Sequence, residues 1–481
     1  MANIFPRGLA VAAIVWVGIC AGVVMPAPLA RAEPGFDNLS HELPEFRSVD
    51  GVLRATLEAR ARDMHVGKAD FPGMAFNGVY GGPVLRVHPG EVMRIKLRNR
   101  LGEPTNLHFH GLHTSPRGNS DNMHVVVQSG HDFDYEVKIP ATQPPGLYWY
   151  HTHIHGSAET QVMAGLSGAL VVEGFARQFP ELSGVRERLF VLKDYSVEES
   201  ADPEIEENLH DLVQSVNGQG SVKLAIRPGE TQLWRFTNQS ANRYFHIAVP
   251  NHKFRIIGED GIAAAKETVA DTLDIKPAAR VEALIDGGEP GSYDFVSQRV
   301  LTGTGETRSQ NRILGQVVVE GEAAKPVAAL TFPKGQDLSG REMDAKRTVV
   351  FSQTLNDDRN FFVDGRKFDP KRIDLRVPLG NVEEWTIKNI SDDMHVFHIH
   401  QVSFQVTEID GVAQPFNGYV DVARVPEKGE IKIRMAFTDP EIVGYFMYHC
   451  HVLKHEDNGM MANIEIFDPK AAHEPAHPHS P

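Results

Sequence analysis

Residues 77–99 read NGVYGGPVLRVHPGEVMRIKLRN, and the pattern returns twice, as NGQGSVKLAIRPGETQLWRFTN at 217–238 and DGRKFDPKRIDLRVPLGNVEEWTIKN at 364–389. Each copy opens on a turn dipeptide: Asn77-Gly78, Asn217-Gly218 or Asp364-Gly365. An alternating strand, a Gly-bearing turn and a second alternating strand follow, which is the pattern of turn-linked β-structure. A short aromatic and histidine-bearing strand comes after each copy: LHFHG from Leu107, YFHIAV from Tyr244 and HVFHIH from His395. No segment carries a long helical period. The expectation is an all-β chain of three consecutive Greek-key sandwiches or barrels, each of about 120–150 residues. The boundaries fall at 33–174, 175–322 and 347–468. A Pro- and Gly-bearing linker occupies 323–346, and a disordered tail 469–481.

Composition narrows the functional classes. With 41% hydrophobic and 23% charged residues, the chain has material for sizeable cores, and disorder or collagen-like repetition is excluded. A net charge of −15 argues against binding a phosphate backbone, so no nucleic-acid partner is expected. The unusual feature is 23 His against 2 Cys. Neutral imidazole is the commonest metal ligand, so this surplus points to metal.

The N-terminus accounts for one of the two Cys. Arg7, an apolar run from Leu9 to Met25 and the small-residue exit Ala30-Arg31-Ala32 before Glu33 read as a secretory signal peptide over 1–32. The mature chain would then have no membrane span and a periplasmic or secreted location. Cys20 leaves with the signal, and Cys450 remains as a single thiol in an oxidising compartment.

Four histidine clusters carry the chemistry: His108-Phe109-His110, His151-Thr152-His153, His395-Val396-Phe397-His398-Ile399-His400, and His449-Cys450-His451 with His455 and Met460. Residues at i and i+2 of a strand share a face, so each HxH pair presents two imidazoles to one place. In His449-Cys450-His451 the thiol points the opposite way, so one strand can serve two sites with only backbone between them. His395, Cys450 and His455, with Met460 as a long axial ligand, make a blue-copper set. Structural zinc would call for more Cys or a compact four-ligand spacing. Eight clustered His remain, a number suited to three further ions with open positions. The middle repeat places Ala248 where the third has His400, so it reads as a spacer without metal.

These four clusters, in order and spacing, resemble the copper-binding motifs of the multicopper oxidases, of the three-domain bacterial laccase and copper-efflux type. The resemblance implies three cupredoxin-like domains and four copper ions. It implies type 1 copper on His395, Cys450, His455 and Met460, and type 2 copper on His108 and His398. The type 3 pair falls to His110, His151, His153, His400, His449 and His451. It implies one-electron oxidation of a reductant at type 1 copper, and reduction of dioxygen to water at a trinuclear cluster shared by the first and third domains. Asp121 and Glu456 match acids that supply protons in this family. Departures are Phe109 where Trp is common, Val396 for Pro and Gln401 for Gly. None removes a ligand.

The expected reductant is phenolic, or a cuprous or other metal ion, and the 13 Met are scattered, without a Met-rich insert. A monomer is expected. The competing reading is a periplasmic copper-tolerance protein that binds or oxidises cuprous ion.

Overall fold

The structure, a computed structural model, describes residue 39 and residues 43–196, 212–300, 311–354 and 359–471. The expected signal peptide with Cys20, and residues 472–481 of the expected tail, lie outside the described residues. Six β-sheets form three successive lobes. The first lobe uses strands between Glu45 and Val172, the second strands between Arg186 and Val319, and the third strands between Ala345 and Phe467. The architecture is all-β and cupredoxin-like.

The repeated turns share one side-chain device. Asn77, Asn217 and Asp364 sit at φ of 53°, 52° and 51°, the left-handed region that a two-residue hairpin turn requires and that Asn and Asp tolerate. Each side chain then reaches back to a neighbouring strand. Asn77 Oδ1 accepts from Glu58 N–H at 2.7 Å, Asn217 Oδ1 from Val191 N–H at 2.6 Å, and Asp364 Oδ1 from Val350 N–H at 2.8 Å. The two Asn also donate Nδ2–H to the carbonyls of Thr56 and Leu189, at 2.9 and 2.8 Å.

A second device closes each repeat. Asn99, Asn238 and Asn389 accept from the N–H two residues on, each at 2.9 Å. Their Nδ2 groups donate to carbonyls of two loops: Glu103 and Val127 for Asn99, Arg243 and Ile275 for Asn238, Asp393 and Pro426 for Asn389. Buried backbone groups need partners, and these amides satisfy the loops that lead into the histidine strands.

Strand register then sets where the histidines lie. His108–His110 pairs antiparallel with Gly146–His151, so His108 faces His151 and His110 faces Trp149. In the third lobe His395–Ile399 pairs with Gly444–Cys450, and His398 faces His449. The equivalent middle-lobe pair sets His246 against Gln298 and Ala248 against Val296. First and third lobes meet along a seam. There Asp457 accepts the N–H groups of Gly156 and Glu159, both at 2.8 Å, at the start of the helix Ala158–Ala164.

Asn217→Ala removes an acceptor and a donor and leaves a Cβ-bearing residue at φ +52°, so stability should fall by about 2 kcal/mol. Asn217→Asp, which keeps the acceptor as Asp364 does, should lose less. Urea midpoints of the two variants check the order.

Candidate metal centre

Cys450 ends a fully buried stretch of the strand Gly444–Cys450 and points into the core of the third lobe. Its Sγ lies 3.6 Å from Nδ1 of both His395 and His455, and those two nitrogens are 3.0 Å apart. Three soft and borderline donors thus converge on one point. The other nitrogen of His395, Nε2, is held by Ser391 Oγ at 2.7 Å, and Ser391 donates to Asn389 Oδ1 at 2.5 Å. The amide that closes the third repeat therefore also orients a donor ring. Phe361 stacks on His455 at 4.2 Å. Met460 is buried, its N–H donating to His455 O and its carbonyl accepting from Cys450 N–H. Val396 stands where the resembled motif has Pro, and the N–H that Pro would lack donates to Cys450 Sγ at 3.4 Å.

The other eight imidazoles gather across the seam between the first and third lobes, all buried. His153, His400 and His449 turn Nε2 toward one another: His449 Nε2 is 3.1 Å from that of His400 and 3.4 Å from that of His153. Donor nitrogens of His108, His110 and His151, and of His108, His398 and His400, likewise lie within 4.8 Å of one another. The His451 ring is 5.0 Å from His110 and 5.4 Å from His151. Among the described residues, no such group falls in the middle lobe.

The donor set fits a metal cluster. His108 Nε2, His151 Nε2, His398 Nε2, His110 Nδ1 and both nitrogens of His451 are buried without a hydrogen-bond partner. Orphaned polar atoms of this kind are costly in a protein interior, and bound metal ions relieve them. In His108, His110, His151 and His398 the opposite nitrogen is already occupied by the protein. His108 Nδ1–H donates to Asp121 Oδ1 at 3.0 Å, and His151 Nδ1–H to Thr152 O at 2.7 Å. His398 Nδ1–H donates to Asp421 O at 2.7 Å, and His110 Nε2–H to Asp421 Oδ1 at 3.1 Å. Each bond leaves an inward lone pair, the form a metal takes.

Burial holds these rings neutral. It pushes His153 and His449 down to about 4, and the other six well below the usual imidazole range, with neighbouring imidazoles adding to the effect in those six. The acids move the other way. Burial raises Asp121, whose carboxylate accepts from Phe109 N–H at 3.0 Å and Gln401 Nε2–H at 2.6 Å. Gln401 sits at φ +56°, which explains why Gly suits this place and what Gln adds. Burial raises Glu456 to about 7, with His153 opposing. Its oxygens lie 2.9 Å from His449 Nδ1 and 3.6 Å from His153 Nδ1.

Eleven of the twelve sequence-predicted donors, the ten His and Cys450, thus fall into one or other of the two groups. Met460 is buried in the core that contains Cys450, tied by its main chain to Cys450 and His455, and both predicted acids lie against the imidazole cluster. His155 stands apart, exposed and 4.8 Å from the Phe368 ring. Sequence reasoning missed Asp421, which touches two of the rings; no motif marks it, and it follows the Gly418-Tyr419-Val420 stretch like any loop acid. It also missed Trp149, which stacks on His151 at 4.2 Å.

Three family profiles, each described as multicopper oxidase, match residues 60–176, 199–324 and 342–469. Multicopper oxidase mco of Staphylococcus aureus is 28% identical over 433 residues, 87% of this chain and 89% of the relative. The structure of a multicopper oxidase from Campylobacter jejuni, titled a metallo-oxidase, has TM-score 0.75 at 27% identity, covering 88% of this chain and 94% of that one. A laccase structure from Pediococcus acidilactici has TM-score 0.75 at 27% identity, covering 91% and 95%. Fold, donor set and relatives together define a copper-dependent oxidoreductase that takes electrons from a reductant and uses dioxygen. The chain belongs to the multicopper oxidase family.

In copper-free protein the depressed imidazoles link stability to pH. Above the unfolded value of about 6.5 they are neutral in both states. As pH falls from there toward 4, the unfolded chain takes up protons that the folded chain resists, and stability is lost. The urea midpoint of copper-free protein should drop steadily from pH 7 to pH 5, with more than about one proton bound on unfolding; a flat midpoint would contradict neutral buried rings.

Proposed function

We propose that this is an exported, monomeric oxidase holding four copper ions. It would couple one-electron oxidation of a reductant at a type 1 site to four-electron reduction of dioxygen to water at a trinuclear cluster. One observation carries the reading: buried imidazoles from two lobes face one another, most with an unpartnered nitrogen, and Cys450 of the thiol site lies between two histidines of that cluster in sequence. His395, Cys450, His455 and Met460 would hold type 1 copper. His108 and His398 would hold type 2 copper, and His110, His151, His153, His400, His449 and His451 the type 3 pair. Copper, when bound, supplies the one-electron chemistry at the thiol site and the binding and reduction of dioxygen at the histidine cluster.

The chain supplies the rest. The backbone of His449, Cys450 and His451 joins the two sites covalently. Burial of the imidazoles excludes bulk water from the oxygen site. Glu456, raised to about 7 against two of the rings, can hold or release a proton near neutral pH, and Asp121 faces a third ring. We assign proton supply to both. For the reductant we favour broad, laccase-like oxidation of phenols, because the Met residues form no Met-rich insert. The Campylobacter relative's description as a metallo-oxidase supports metal-ion oxidation as the second reading. The N-terminal signature supports a periplasmic or secreted location.

Protein recovered from the periplasm, with its N-terminus at Glu33, should contain about four copper per chain by this ligand count and show intense blue absorption. Cys450→Ser should abolish the blue colour and leave much of the copper, whereas His398→Ala should keep the colour and stop oxygen uptake. Blue colour surviving Cys450→Ser would sink the type 1 assignment. Rates of oxygen uptake on a phenol and on cuprous ion separate the two reductants. Copper-loaded protein that consumes no oxygen with either would leave a copper-binding protein instead.

Glu456→Gln keeps the shape and removes the titrating proton. Copper content and blue colour should persist, while oxygen turnover falls by about 10²-fold or more. Unchanged turnover would remove Glu456 from the proton path.

A further inference from the structure

Among the described residues the middle lobe holds none of the metal-ligating groups, yet it reaches the histidine cluster. Asp421, in the third lobe, contacts two cluster rings from different lobes: its Oδ1 accepts from His110 Nε2–H at 3.1 Å, and its main-chain oxygen accepts from His398 Nδ1–H at 2.7 Å. Those rings stack at 3.9 Å, 16° from parallel. Asp421 in turn is held by the middle lobe. Arg280, fully buried at the start of the strand Arg280–Asp286, grips both carboxylate oxygens: Nη1 donates to Oδ1 at 2.8 Å, and Nη2 to Oδ2. Such two-point pairing fixes orientation as well as charge.

The guanidinium itself is fixed from three sides. Nη1 also donates to Ala278 O at 2.9 Å, Nη2 to Asp260 O at 3.1 Å, and Nε to Leu147 O of the first lobe at 3.3 Å. Asp260, another middle-lobe residue, accepts from Arg280 N–H at 3.0 Å with Oδ1. With Oδ2 it accepts from the N–H groups of Asp421 and Val422, both at 3.2 Å. Gly111, next to His110, sits at φ +86°, where an added Cβ would lie 2.5 Å from Asp421 Oδ2 and 2.7 Å from Arg280 Nη2. Two carboxylates and a guanidinium buried together are poor stabilisers compared with apolar packing. Their value here is directional.

We propose that Arg280 and Asp260 are positioning residues for the proposed trinuclear site. Through Asp421, the middle lobe sets which nitrogen of His110 and of His398 faces inward and the angle at which it does so. The inference rests on the eight-imidazole cluster holding copper.

The test uses the full-length, copper-loaded protein. Arg280→Gln should keep the blue absorption of the thiol site. Copper on the histidine cluster should be lost to a chelator about 10- to 100-fold more readily, and the type 2 electron paramagnetic resonance signal should be lost or altered. Arg280→Lys keeps the charge without the two-point grip and should fall in between. Arg280→Gln combined with Asp421→Asn should be no worse than Asp421→Asn alone, because the arginine acts through the carboxylate. Asp274→Asn is the control: it breaks the Asp274–Arg424 pair, which also joins middle and third lobes but touches neither His110 nor His398, and should leave both signals intact.

Should Arg280→Gln fail to fold, Asp260→Asn, which spares the guanidinium–carboxylate pair, should show the same selective loss in smaller degree. Unchanged chelator resistance and type 2 signal would overturn the proposal. So would a parallel loss of both copper sites together with thermal stability, which would mean a general loosening between lobes. Wild-type protein without copper on the histidine cluster would instead overturn the underlying reading.

Discussion

A set of neutral imidazoles facing one another in a buried seam is the constraint on which the rest depends. Such rings repel protons, because burial and their neighbours disfavour every charged form. They also leave lone pairs without partners, which a protein interior tolerates poorly. The arrangement becomes favourable only when something replaces the missing partners, and only if every ring presents the correct nitrogen. The outer nitrogens therefore dictate the second layer: Asp121, Asp421, Thr152 O and, for the thiol site, Ser391.

That layer is assembled by repetition. The same amide closes each repeat at Asn99, Asn238 and Asn389, and in the third lobe its carbonyl also takes the Ser391 hydroxyl that orients His395. Strand pairing then sets the paired histidines side by side within the first and the third lobe, and the two sets meet across the seam. The middle lobe keeps the scaffold and has lost the second histidine, at Ala248. Its contribution is the buried Arg280 and Asp260, which bear on Asp421.

Departures from the resembled motifs acquire physical meaning in this setting. Gln401 occupies a backbone conformation that favours Gly, and its amide secures Asp121. Val396 restores an N–H that reaches the Cys450 sulfur. Neither effect is visible from spacing, since both depend on which distant atom lies opposite. The same limit hid Asp421: His110 lies 311 residues before it in sequence and 3.1 Å from it in the fold.

By itself the sequence determined what is local and periodic. The turn dipeptides and alternating strands specify three related β-lobes, because left-handed turns and two-residue periodicity are properties of neighbours along the chain. The HxH spacing likewise specifies paired imidazoles on one face, and His449-Cys450-His451 specifies a thiol directed away from its flanking histidines. Only the tertiary structure decided which ring nitrogen points inward, which acid holds it, and that the middle lobe bears on the site through Arg280 and Asp260. Those outcomes depend on hydrogen bonds between residues hundreds of positions apart, and such partners exist only once the lobes have packed.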